Sequence, residues 1–182
     1  DLQAMNGAYL SGMVFRGKAE GIPIIDYRPY LEHELDMHNV HQSFVVRQRM
    51  QAYDGNADNQ VIWFTEARPD EDYSAVPLAL EVIEDWMANI RANPGAGVAG
   101  NKPALAVDTC FDTDGSLIAR GDDVWNGALN DQPEGACTAH FPIYGTSRIV
   151  AGAPTEGGVF KCGLQLVSQA LQECTWLLYT SS

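Results

Sequence analysis

Apolar positions along the chain fall into two kinds of run. Gly21-Ile22-Pro23-Ile24-Ile25-Asp26-Tyr27-Arg28 is short and β-branched, opened by a proline at a tolerated strand start, and Val61-Ile62-Trp63-Phe64 is a second unbroken apolar run. Neither alternates with polar residues, which predicts parallel strands covered on both faces. Between them the period lengthens. From residue 36 to about residue 53, Val40, Phe44 and the aliphatic stem of Arg47 share one side, and Gly55-Asn56 closes the pattern, which predicts a helix. After a loop over residues 69–74, Val76, Leu80, Ile83, Met87 and Ile90 recur at helical spacing until Asn93-Pro94-Gly95 stops them. Residues 1–20 have weak periodicity and read as an entry loop or a short helix. Strand, helix, strand, helix implies a right-handed crossover and a largely parallel sheet in a two- or three-layered α/β core.

Beyond residue 93 the character changes. Pro94-Gly95-Ala96-Gly97-Val98-Ala99-Gly100-Asn101-Lys102 reads as a Gly-rich linker, followed by short runs split by Gly, Asp and Pro that carry all four cysteines, 110, 137, 162 and 174. The expected organisation is therefore a core over 1–93, a linker over 94–102, an irregular cysteine-bearing appendage over 103–172 and a tail over 173–182. The chain opens on Asp1 with no targeting signal, as expected of a fragment or of a chain whose precursor segment was removed, and the tail ends without a turn or cap, as expected of read-through at a junction. No Cys-x-x-Cys pair occurs, so four spaced cysteines fit disulfides and an oxidising compartment better than zinc, with the pairing open and buried free thiols as the alternative.

Composition narrows the partners. Among 182 residues, Lys and Arg number 11 against 24 Asp and Glu, a net charge of −13, and only residues 18, 102 and 161 are lysine. Such a surface repels phosphates and anionic lipids, which argues against nucleic acid and membrane as partners. Apolar runs stop after four or five residues, far short of the ~20 needed to span a bilayer. Apolar residues at 46% and charged residues at 19% exclude a long disordered chain.

The densest polar cluster is Glu32-His33-Glu34-Leu35-Asp36-Met37-His38-Asn39-Val40-His41, just past the first expected strand, on the sheet edge where α/β proteins bind ligands. Three readings apply. Asp36 caps a solvated helix; or Asp36 and one of His38 and His41 belong to a Ser-His-Asp hydrolase triad; or the cluster holds a metal. In the triad layout the histidine follows the next strand, but residues 65–73 contain none, so His38 or His41 fills the role, with His140 as the remaining candidate. His38 and His41 lie about 60° apart on a helix, whereas His33 and His38 lie about 140° apart, which rules out a zincin-type pair. No Gly-x-Ser-x-Gly is present, so the nucleophile of such a site is expected upstream of Asp1. Asp112-Thr113-Asp114-Gly115 lacks the closing Glu of an EF-hand and reads as a turn. Arg47 and Arg49 project from the helix whose start carries Glu32, Glu34 and Asp36, so internal ion pairs are expected of them, with a substrate carboxylate as the alternative.

Residues 21–28, Asp36-Met37-His38-Asn39-Val40-His41-Gln42-Ser43-Phe44, Asn59-Gln60-Val61-Ile62-Trp63, Ser147-Arg148-Ile149-Val150-Ala151-Gly152-Ala153-Pro154 and Phe160-Lys161-Cys162 together resemble the domain-of-unknown-function family 6351, bacterial, secreted, α/β-hydrolase-like proteins. The resemblance covers roughly residues 5 to 170 and fades after about Ala170. It implies the C-terminal part of a partial α/β-hydrolase-like sheet with flanking helices. It also implies carboxylic-ester hydrolysis without a cofactor, with Asp36 orienting His38 or His41 and an upstream serine as nucleophile. On that reading the isolated chain is inactive, and its partners are a small or polymeric ester and the N-terminal part of the same chain. A non-catalytic binding or structural module is the alternative.

Overall fold

The structure, a computed structural model, describes residues 15–32, 39–68, 73–128 and 132–145, together with residues 1, 3, 4, 7, 8 and 155. The elements are β1 (Ile24–Tyr30), α1 (His41–Asp54), β2 (Gln60–Glu66), α2 (Val76–Ala92), two single 3-10 turns (Pro94–Ala96 and Ala99–Asn101), β3 (Thr109–Phe111), β4 (Leu117–Arg120) and α3 (Ala136–His140). The strands form one mixed sheet in the order β1-β2-β3-β4. β1 and β3 both run parallel to β2, and β4 returns antiparallel to β3.

The alternation of side chains across β2 explains its unbroken apolar run. Val61 and Trp63 pack with Val82 and Trp86 of α2, and with Ala106 and Phe111. Ile62 and Phe64 point the other way, into Tyr30, Phe44 of α1, Trp125 and Phe141. Phe64 is the hub of that second cluster, its ring centroid 4.4 Å from Trp125, 6.0 Å from Phe44 and 6.1 Å from Phe141. Every residue of β2 is buried, as a central parallel strand requires. β1 is different: residues 24–29 are half-buried, and only Tyr30 is buried.

Gly55 ends α1 in the left-handed region, φ +81°, with its N–H on the Gln51 carbonyl. The start of α1 departs from expectation, because the helix begins at His41 and not at Asp36. Glu32 Oε1 accepts the Val40 N–H at 2.7 Å. The buried face of α2 also departs. Ala75, Ala79, Val82 and Trp86 face the sheet, whereas Val76, Leu80 and Met87 of the expected stripe are exposed, Leu80 by 62%. These residues stand beside the contact, and Val76 and Leu80 help Pro23, Ile24, Ile25 and Tyr27 line an open apolar groove between α2 and β1.

Residues 94–101, expected to be a linker, are fastened to the end of α2. The Trp86 indole donates to the Val98 carbonyl at 2.8 Å, and the buried Asn101 amide donates to the carbonyls of Asn93 and Gly97. Beyond them, residues expected to form an appendage extend the same sheet and fill its core. β3 pairs only with Trp63–Thr65, so the outward peptide groups of Ile62 lack a strand partner. Side chains replace it: Asp108 Oδ1 accepts the Ile62 N–H at 2.8 Å, and the Trp125 indole donates to the Ile62 carbonyl at 3.2 Å. Asp108 also holds Arg47 of α1 in a two-pronged ion pair, at 2.6 and 2.7 Å. Asp112-Thr113-Asp114-Gly115 makes the β3–β4 turn, with Gly115 at φ +82° and its missing side chain pressed against the Tyr73 ring. A disulfide joins Cys110 of β3 to Cys137 of α3; Cys162 and Cys174 lie outside the described residues.

Candidate functional site

The register sets Tyr30 opposite Glu66, so β1 and β2 end side by side. Around those carboxyl ends four polar groups from three segments converge. Glu66 Oε1 accepts the backbone N–H of Arg68 at 2.9 Å and its Nε at 2.7 Å; Oε2 accepts Arg68 Nη2 and lies 3.3 Å from Nε2 of His140. The Arg68 guanidinium covers the Tyr30 ring at 4.9 Å. The Tyr30 hydroxyl donates to the Pro142 carbonyl at 2.7 Å.

Local sequence accounts for each placement. Glu66 closes β2, and Arg68, two residues on, lets its planar fork fold back onto the carboxylate, a match of geometry that lysine lacks. His140 arrives on α3, which is held on three sides. Cys137, one turn earlier, is bonded to β3; Phe141 is buried against Tyr30 and Phe64; and Pro142 takes the Tyr30 hydroxyl. The Phe141 ring also buttresses the imidazole, centroids 4.6 Å apart. The Glu66 side chain is 8% exposed, beneath an imidazole and a guanidinium each 39% exposed.

Burial works against ionisation of Glu66, but the hydrogen bonds and charge of Arg68, with His140 beside it, outweigh burial and hold the carboxyl below its usual range. The same bonds raise Arg68. Burial, followed by the nearby Glu32 charge, pushes the Tyr30 phenol up to about 12, so it remains a neutral donor. Near neutral pH the edge therefore carries a fixed carboxylate, a fixed guanidinium and a half-exposed imidazole beside that carboxylate, the grouping that orients an imidazole for proton transfer.

Of the residues singled out from the sequence, Asp36 and His38 lie outside the described residues, as do His33 and Glu34. His41 is described, and it is 5% exposed, with Nε2 against the Gln42 amide. Burial and then the charge of Arg28 lower its pKa, so it stays neutral. Glu32, two residues past Tyr30, is also buried, and burial raises its pKa despite the Val40 N–H. Its Oε2 has no partner among the described residues. Of the helical arginines, Arg47 makes the expected internal ion pair, with Asp108 as its partner. Arg49 Nη1 donates to the Phe15 carbonyl, and Arg28 bonds Asp26 and Ser43.

Glu66 and Arg68 carried no motif in the sequence, and His140 stood there only as the histidine left over. The one available signal was the triad layout, which expected a histidine after β2. The structure sets His140 beside Glu66, the last residue of β2. Among the described residues no group of three His, Cys, Asp or Glu side chains is arranged to hold a metal ion, and no helix is long and apolar enough to cross a membrane. A separate cleft of about 220 Å³ lies at the opposite end of β2, where Arg47 and Asp108 of its wall are bonded to each other.

One family model, described as a tannase-like family of unknown function (DUF6351), matches residues 1–177. No curated protein and no solved structure matches the chain.

Proposed function

This chain belongs to the tannase-like family of unknown function, and on that premise we propose that it supplies the acid/base part of a secreted carboxylic-ester hydrolase of the α/β-hydrolase type. The observation that carries the reading is the convergence at one sheet edge. β1 and β2 are parallel neighbours joined through α1, they end together at Tyr30 and Glu66, and an imidazole–carboxylate contact stands at that end. Carboxyl ends of parallel strands are where open α/β sheets place ligands and reacting groups. In this reading a carboxylate orients an imidazole, and the imidazole takes the proton of a serine hydroxyl as that oxygen attacks the ester carbonyl. Asp36 with His38 or His41 remains the pair proposed from the sequence, and the serine belongs to a part of the protein upstream of residue 1. The Cys110–Cys137 bridge is compatible with an extracellular location.

The test is hydrolysis of a panel of p-nitrophenyl and aromatic esters by the full-length protein. Turnover that disappears with Asp36→Asn supports the reading. Turnover by residues 1–182 alone would contradict an upstream nucleophile, and unchanged activity in Asp36→Asn would remove Asp36 from the site.

A further inference from the structure

Three of the four histidines, His33, His38 and His41, follow β1 closely in the sequence, yet among the described residues the imidazole that meets a carboxylate at the sheet edge is the fourth. We propose that His140 is the proton-transferring imidazole of the site and that Glu66 is its positioning residue; the inference rests on the ester-hydrolase reading and assigns its base. Glu66 Oε2 lies 3.3 Å from His140 Nε2, an ion-pair distance that substrate-free sites often show before closing to a hydrogen bond. Arg68 anchors both oxygens of that carboxylate, so its position and charge are fixed. The imidazole has one edge toward the carboxylate and is 39% exposed, whereas the His41 ring is buried against Gln42. Three anchors around α3, the disulfide at Cys137, the packed ring of Phe141 and the bond to Pro142, do for His140 what a rigid scaffold does for a reacting group.

The proton transfer follows from the tautomer. Nε2–H directed at the Glu66 carboxylate leaves the Nδ1 lone pair as the base. As a hydroxyl oxygen bonds to the ester carbon, its proton passes to Nδ1 and the carbonyl π pair moves onto oxygen. Collapse of that oxyanion breaks the bond to the alcohol, which leaves with the proton from Nδ1. A water molecule then repeats the sequence on the acyl group. Among the described residues, Glu66 faces the imidazole directly, Arg68 and Tyr30 stand beside Glu66, and Glu32 and Tyr144 act on Tyr30.

The experiment is steady-state hydrolysis of p-nitrophenyl butyrate by the full-length protein, with thermal unfolding of each variant as a folding control. His140→Gln is expected to lower kcat by at least 100-fold with little change in KM, the usual reach of general acid–base catalysis. Glu66→Gln is expected to lower kcat and to move the acidic limb of the pH profile to lower pH, because an imidazolium loses its counter-charge; Glu66→Asp should restore part of both. A His140→Gln protein that unfolds normally and keeps kcat within threefold overturns the assignment. So does a wild-type His140 found by ¹H–¹⁵N correlation to hold its proton on Nδ1, a result that needs no variant. Wild-type protein with no turnover of any ester overturns the hydrolase reading itself, and the catalytic role of His140 with it.

Discussion

Asp108→Asn removes one charge and little else. The side chain keeps its shape, and its remaining carbonyl oxygen still accepts the Ile62 N–H that β3 begins too late to reach. What it loses is the two-pronged pair with Arg47, made at 2.6 and 2.7 Å between side chains 18% and 10% exposed. Arg47 then keeps one neutral acceptor, Gln60 Oε1 at 3.3 Å, while its guanidinium remains largely out of water. Breaking a buried pair from one side costs about 3–5 kcal/mol, and partial exposure of Arg47 brings that to about 2–4 kcal/mol. Equilibrium urea unfolding should show the midpoint falling by about 1–2 M with an unchanged slope. The cost should shrink when Arg47→Met is added, because the orphaned charge goes with it. A loss below about 0.5 kcal/mol, or a double variant no better than Asp108→Asn alone, would refute the account of Asp108 as the charged clamp between α1, β2 and the start of β3.

Other consequences can be measured directly. Cys110→Ser with Cys137→Ser opens a loop of 27 residues, for which chain entropy gives a loss of about 3.5 kcal/mol in the unfolding free energy; the same change should appear in wild-type protein on reduction. Phe64→Ala leaves a cavity among Trp125, Phe44 and Phe141 and should cost about 3–5 kcal/mol in the same urea assay. Glu32→Gln keeps the acceptor for the Val40 N–H and removes a buried charge. Because folding raises the Glu32 pKa, its stabilising contribution is full below the usual carboxylate range and is lost as pH rises through the folded value. The variant should therefore gain on the order of 1 kcal/mol at pH 7, and that gain should vanish near pH 4. Glu66 has the opposite sign, its stability present above the usual carboxylate range and lost as pH falls through its lowered pKa, so Glu66→Gln should flatten the acid limb of the stability curve.

Much of the fold was legible along the chain because it depends on nearest-neighbour chemistry. The unbroken run Val61–Phe64 specified a strand covered on both faces, and Gly55 and Asn93-Pro94 stopped α1 and α2 where they were expected to. Ile83 and Ile90 of the expected α2 stripe pack on the sheet-facing cluster, whereas Val76, Leu80 and Met87 share a helical period with buried residues one position away. Period alone cannot say which of two adjacent apolar stripes meets the sheet. Residues 94–101 looked like a linker because composition does not reveal that the Asn101 amide and the Trp86 indole bind their carbonyls.

The sequence by itself determined an acidic α/β chain of a tannase-like family, the parallel pair β1 and β2, and the sheet edge at which chemistry was to be sought. The tertiary structure decided which groups meet there. Glu66 and Arg68 are two residues apart, but His140 stands 74 positions beyond Glu66 and reaches it only because the disulfide and Phe141 fix α3 over the end of β2. Asp108 and Arg47 meet across 61 positions because α1 and the segment before β3 both pack on β2, where Asp108 also takes the Ile62 N–H. Local propensities act over one turn or one strand, whereas these contacts are made by packing between distant segments, and no spacing in the chain encodes them.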